Sequence, residues 1–94
     1  MCKDQRVFDW DSQEEFARIS GDRNPIHMNR VAARRTQMGA PIVHGIHSLI
    51  WLLECISRSG LLVSRPAAIG AQFLRPIYVG DCVSLKSNRV VWAA

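Results

Sequence analysis

The sequence lacks most of the features that would assign it to a large class of protein at once. It holds three cysteines, Cys2, Cys55 and Cys82, an odd number without a C-x-x-C pair. That spacing implies no disulfide framework and fits a reducing compartment. Cys55 lies inside an apolar helical pattern and reads as core. The first residues, MCKDQRVFDWD, alternate in charge and contain no apolar h-region, so no signal peptide is read there. The longest mainly apolar run, residues 46–56, is broken by Ser48 and Glu54 and is too short to span a bilayer. Aromatic residues make up only 7% of the chain and do not interleave with the arginines at positions 30, 34, 35, 58, 65 and 75. A single-strand nucleic-acid platform requires that interleaving. No repeat or low-complexity tract is present. These absences lead us to expect a soluble, cytoplasmic protein with no membrane or nucleic-acid partner.

What is present fits one small domain, residues 1–94, with 48% hydrophobic residues. A chain of this size holds a modest core with a thin stability margin unless a partner covers more surface. The net charge of +4 favours anionic partners without choosing among them.

In order along the chain, residues 6–10 (RVFDW) suggest a short strand. Ser12 and Glu15 then form a capping-box pattern that would start a helix with Phe16 and Ile19 on its apolar face. Gly21 stops that helix. Asn29 can cap a second helix with Val31 and Ala32 inward and Arg30, Arg34 and Arg35 outward, ended by Gly39. From residue 42 to residue 60 the pattern is that of a long helix, with its entry. Ile46, Leu49, Ile50, Leu53 and Ile56 follow helical spacing, and Trp51, Leu52 and Cys55 widen the stripe. A helix apolar around most of its circumference must be wrapped, and a sheet is the obvious wrapper. Residues 67–74 read as a strand, Arg75-Pro76 as a break, and Gly80-Asp81 as a tight turn. Residues 82–92 read as a second strand that could pair with the first, although Pro76 limits pairing. The chain closes on VVWAA, an apolar strand whose uncovered edge would invite association.

The stretch with chemistry in it runs from Asp22 to Gly45. Pro25 fixes its own φ and drives Asn24 toward an extended backbone. A loop so stiffened holds Asp22 and His27 in one relative position, as catalysis requires. Taken alone, the pair fits a turn-capping aspartate and a satisfied core histidine better than a catalytic pair. Gly45 stands at the start of the long helix. Its missing side chain would admit a ligand to free helix N–H groups, or would serve only close packing. His44 and His47, three apart with no third ligand nearby, are a weak metal signal, and no metal or other cofactor is assigned.

With these residues placed, the chain resembles the MaoC-like dehydratases, the (R)-specific enoyl-CoA hydratases of the hot-dog fold. The resemblance is carried by FARISGDRNPIH (residues 16–27), PIVHGI (41–46) and FLRPIYVGD (73–81), in the family's order and spacing. It implies an α+β hot-dog fold, a curved antiparallel sheet wrapped around the long helix, and assembly as a homodimer or higher oligomer. It further implies that Asp22 and His27 activate a water and that the Gly45 N–H binds a thioester carbonyl. Asn24, Ile26, Val43 and His44 would contact substrate. The substrates implied are trans-2-enoyl thioesters, usually of CoA, hydrated reversibly to (3R)-hydroxyacyl thioesters. Two departures stand out. Only one strand follows Asp81 where the family usually has more, and Leu53 is aliphatic near where hydratases often carry a serine. Both point to an alternative, a non-catalytic or truncated hot-dog module that binds acyl thioesters or pairs with another hot-dog subunit.

Adding water across an enoyl thioester needs a base for the water proton, an acid for the α-carbon and donors for charge developing on the thioester oxygen. A carboxylate and an imidazole gripping one water could serve both proton steps.

Overall fold

A computed structural model describes residues 5–59 and 68–86 of the chain. Its elements run β1 (Gln5–Val7), α1 (Trp10–Ser20), α2 (Pro25–Met28), α3 (Arg30–Arg34), α4 (Gly45–Arg58) and β2 (Cys82–Ser84). β1 and β2 pair antiparallel with Arg6 opposite Val83, and an isolated antiparallel bridge joins Ile42 to Tyr78.

The first helix begins earlier than its sequence pattern suggests. Trp10 is helical rather than the end of a strand, because Asp9 is the cap: its Oδ1 accepts the Ser12 N–H at 2.8 Å. β1 ends at Val7, three residues short of Trp10, and Asp9 leads into the helix with extended backbone. Ser12 is left to accept from Arg6 Nη2 at 2.9 Å, and Glu15 pairs with Arg18 at 2.7 Å, so no capping box forms. The fully buried residues of α1 are Gln13 and Ala17; Phe16 is partly buried and faces inward as expected, whereas Ile19 is exposed. Gly21 ends the helix in the left-handed region (φ 77°) with its N–H donating to the Ala17 carbonyl, as expected of a C-terminal glycine.

Asn29 caps α3 by accepting the Ala32 N–H. Ala33 is the inward residue there, while Val31 is exposed, since only the small methyl faces the body of the protein. The helix stops at Arg34, and Gly39 (φ 75°) closes the following turn instead.

The long helix α4 turns a different face inward from the one its isoleucines and leucines marked. His47, Trp51 and Cys55, spaced by four, are buried, whereas Ile46 is 58% and Ile50 50% exposed. Periodicity in a helix apolar nearly all round does not select a stripe; the fit to Phe8 does. Phe8 is fully buried and meets His47 and Trp51 edge-on at 5.0 and 6.0 Å between ring centres. Val43 and Cys55 complete this core, with Ile77, Val79, Val83 and Leu85 packed on it from the β2 side. The sheet thus covers α4 where a wrapper was expected. Cys55 is core, as read, but is disulfide-bonded, and Cys82 is free and exposed.

Residues 68–74 form no strand, and β2 pairs with β1 rather than with that segment. Ladder pairing starts only after Pro76, at the Tyr78–Ile42 bridge, where the Val43 N–H donates to the Ile77 carbonyl and the Val79 N–H to the Pro41 carbonyl. The turn at Gly80-Asp81 is as expected: Gly80 has φ 97°, Asp81 N–H donates to the Tyr78 carbonyl and Asp81 Oδ2 accepts the Tyr78 N–H. The strand expected beyond residue 86 and the terminal VVWAA lie outside the described residues. Among the described residues no helix is long and apolar enough to cross a membrane.

The cap of α1 gives a direct check. Replacing Asp9 by Ala should cost about 1 kcal/mol in urea denaturation, and Glu15→Ala much less, because only Asp9 holds a helix-end N–H.

Candidate active site

The loop after α1 is a relay of short hydrogen bonds. Ser20 Oγ accepts the Asp22 N–H at 3.1 Å, Asp22 Oδ1 accepts the Asn24 N–H at 3.2 Å, and Asn24 Oδ1 accepts the Ile26 N–H at 3.1 Å. Each side chain holds a backbone group two residues on, which is how Asn, Asp and Ser build turns. Asn24 is extended and Pro25 opens α2, so the stiff loop becomes one helical turn that carries His27.

His27 is partly buried, and its Nδ1 lies 2.9 Å from the Ile42 carbonyl oxygen. A carbonyl only accepts, so Nδ1 carries the proton and the Nε2 of the neutral ring keeps a lone pair. The same Ile42 oxygen accepts from Gln13 Nε2 at 2.8 Å, and that amide also donates to the His27 carbonyl at 3.0 Å. Two carbonyl partners fix the orientation of the Gln13 amide.

His44 is the N-cap residue of α4 and only 2% exposed. Its Nε2–H donates to the Asp22 carbonyl at 2.9 Å, and its ring stacks on His27 with centres 4.1 Å apart and planes inclined by 28°. Through His44 the start of α4 holds the backbone of Asp22 beside the ring of His27. Ligand atoms of Asp22, His27 and His44 all lie within 4.8 Å of one another. Rings stacked nearly parallel direct their lone pairs side by side rather than at a common point, and one nitrogen of each is already engaged. The trio is therefore poorly shaped for a metal ion.

The aromatic stack continues beyond the site. Phe16 lies between His44, at 4.9 Å, and His47, on which it stacks at 4.4 Å with planes 8° apart. His47 Nε2 faces Arg6 Nη2 at 3.5 Å. Burial, then the positive charge of Arg6, then His44 lower the His47 pKa from 6.5 to about 4.

A cavity of about 340 Å³ opens beside His27 and Gly45, lined further by Met38, Val43, Ser48, Phe73 and Arg75 among others. Of the residues expected to contact substrate, only Val43 lines it; Asn24, Ile26 and His44 do not, and the side chains of Asn24 and His44 brace the loop. Asp22 is exposed and stands next to His27 outside the cavity lining. No side chain caps α4, and its first residue, Gly45, lines the cavity, so the partial positive charge of a helix start lies at this end of it. Gly45 does serve close packing: a Cβ there would lie 3.1 Å from the ring of Phe73. Ser48, whose Oγ donates to the Gly45 carbonyl at 2.7 Å, escaped the sequence reading although it sits one turn after Gly45. Gln13 escaped it too; its one signal was a polar residue four before Ala17 on the buried face.

A family model for the MaoC-like domain matches residues 3–91. The chain belongs to the MaoC-like domain family. A 3-hydroxybutyryl-CoA dehydratase of Methylorubrum extorquens is 36% identical over 75 residues, covering 76% of this chain and 46% of that protein. The solved monoamine oxidase regulatory protein of Archaeoglobus fulgidus superposes with a TM-score of 0.68 at 26% identity, covering 83% of this chain and 56% of that one. An (R)-hydratase of A. caviae involved in PHA biosynthesis gives 0.63 at 29% identity, covering 83% and 60%. This MaoC-like chain thus spans about half the length of the relatives it matches. Its fold is the hot-dog of those structures, with α4 as central helix and β1, β2 and the Ile42–Tyr78 bridge as the described part of the antiparallel sheet.

The depressed pKa of His47 gives a pH dependence. Between its folded value of about 4 and the ordinary 6.5, the unfolded chain binds a proton that the folded chain refuses. Stability is full above this window and is lost as pH falls through it. From about pH 7.5 to about pH 5 the wild type should lose about 2 kcal/mol more than His47→Leu, read by urea denaturation.

Proposed function

We propose that this MaoC-like chain adds water reversibly to trans-2-enoyl thioesters, giving (3R)-hydroxyacyl thioesters. The observation that carries the reading is the meeting of the Asp22 carboxylate with His27, within 4.8 Å, next to a cavity that also reaches the start of α4 at Gly45. The names of the dehydratase and (R)-hydratase relatives support the same chemistry.

In this reading one water sits between Asp22 and His27. Nε2 of His27 holds the lone pair and takes a proton as the water oxygen bonds to C3 of the enoyl group. The C2–C3 π pair shifts toward C2 and the thioester oxygen, where the Gly45 N–H and the α4 dipole stabilise the developing charge. The imidazolium then returns a proton to C2 on the same face, so the elements of one water end on the product and His27 is neutral again. Asp22 orients the water and stabilises the transient imidazolium. In this reading Arg75, exposed at the cavity, pairs with a phosphate of a CoA carrier. Ile46 and Ile50, half exposed on α4, support assembly with a second hot-dog subunit.

The purified chain should consume the enoyl-thioester absorbance of crotonyl-CoA. Asp22→Asn and His27→Ala should each slow the reaction by about 10²- to 10⁴-fold. An unchanged absorbance, or equal rates in wild type and both variants, contradicts the proposal.

A further inference from the structure

We propose that Gln13 is a positioning residue that fixes the tautomer of His27. Three observations carry this. Gln13 is fully buried in the first turn of α1, where an aliphatic side chain would form one apolar face with Ala17. Its Oε1 is buried without a partner among the described residues, so the amide is retained at a cost that its packing does not explain. Its Nε2 donates to two carbonyls, those of His27 and Ile42, and the Ile42 oxygen is also the acceptor for His27 Nδ1–H.

The two donors approach one oxygen, so Gln13 anchors the Ile42 carbonyl in the direction that His27 Nδ1–H needs. It also ties the backbone of His27 to the same point. The carbonyl is the device that keeps the proton on Nδ1 and the lone pair on Nε2. Without the amide, the peptide unit that carries the Ile42 oxygen is held only through its Val43 N–H, which donates to the Ile77 carbonyl at 2.7 Å, and the oxygen loses one of its two side-chain donors. The His27 ring can then populate the tautomer with its proton on Nε2, which has no lone pair for water.

The proposal rests on the hydratase reading only for its kinetic consequence; the tautomer is a property of the protein itself. The test is long-range ¹H–¹⁵N correlation of the His27 ring in the uniformly labelled full chain, for wild type and for Gln13→Met, which keeps the length and removes both donors. Wild type should show the Nδ1–H tautomer, and Gln13→Met should show a shift of Nε2 toward the protonated value. With crotonyl-CoA the variant should lose about 10- to 100-fold in kcat with KM little changed.

A wild-type ring in the Nε2–H form overturns the proposal even if the variant does not fold. So does a folded Gln13→Met with His27 nitrogen shifts unchanged. A tautomer shift in a protein that turns over no enoyl thioester leaves Gln13 in its role and removes the hydratase reading instead.

Discussion

The carbonyl oxygen of Ile42 is the point on which the candidate site depends. It receives Gln13 from α1 and the ring of His27 from α2, while the same residue's N–H reaches the Ile26 carbonyl. Its neighbour Val43 donates its N–H to Ile77, and Ile42 itself bridges to Tyr78. One extended stretch therefore joins the first helix, the loop with the acid and imidazole, and the far side of the sheet. Backbone groups buried at such a junction must all be paired, and here the pairing defines where His27 points.

The second constraint is the start of α4. His44 gives its Nε2–H to Asp22 and its ring face to His27, so the residue that opens the helix also spaces the acid from the imidazole. Its side chain is spent on the loop, which leaves the first N–H groups of α4 without a side-chain cap. The consequence is an electropositive helix start beside a cavity, covered at Gly45 by the ring of Phe73. A ligand carbonyl reaching that N–H must share the space with Phe73, which links the glycine's packing role to its proposed role in binding.

Much of the fold was legible because it rests on local chemistry. Gly21, Asn24, Asn29 and the turn at Gly80 act through their own backbone neighbours, and short-range signals of that kind survive in a sequence. Helix α4 was legible as a helix, but not which of its faces turns inward. That choice depends on Phe8 and Phe16, which are distant in sequence and recruit His47 into the buried stripe while leaving Ile46 and Ile50 outside. Asp9 outcompeted Ser12 as the cap for a similar reason: both are good caps, and the strand geometry before α1 decides between them. In the candidate site, Asp22, His27 and Gly45 were marked by their motifs. Gln13 and Ser48 were not, because their roles lie in hydrogen bonds to backbone carbonyls, which leave no trace in residue spacing.

The central claim is that His27 and the start of α4 face one bound thioester. Adding 3-hydroxybutyryl-CoA to ¹⁵N-labelled protein tests it most directly. The His27 ring nitrogens and the Gly45 amide should shift together along one saturable binding curve. Shifts confined to surface arginines, with His27 and Gly45 unmoved at saturation, would contradict it.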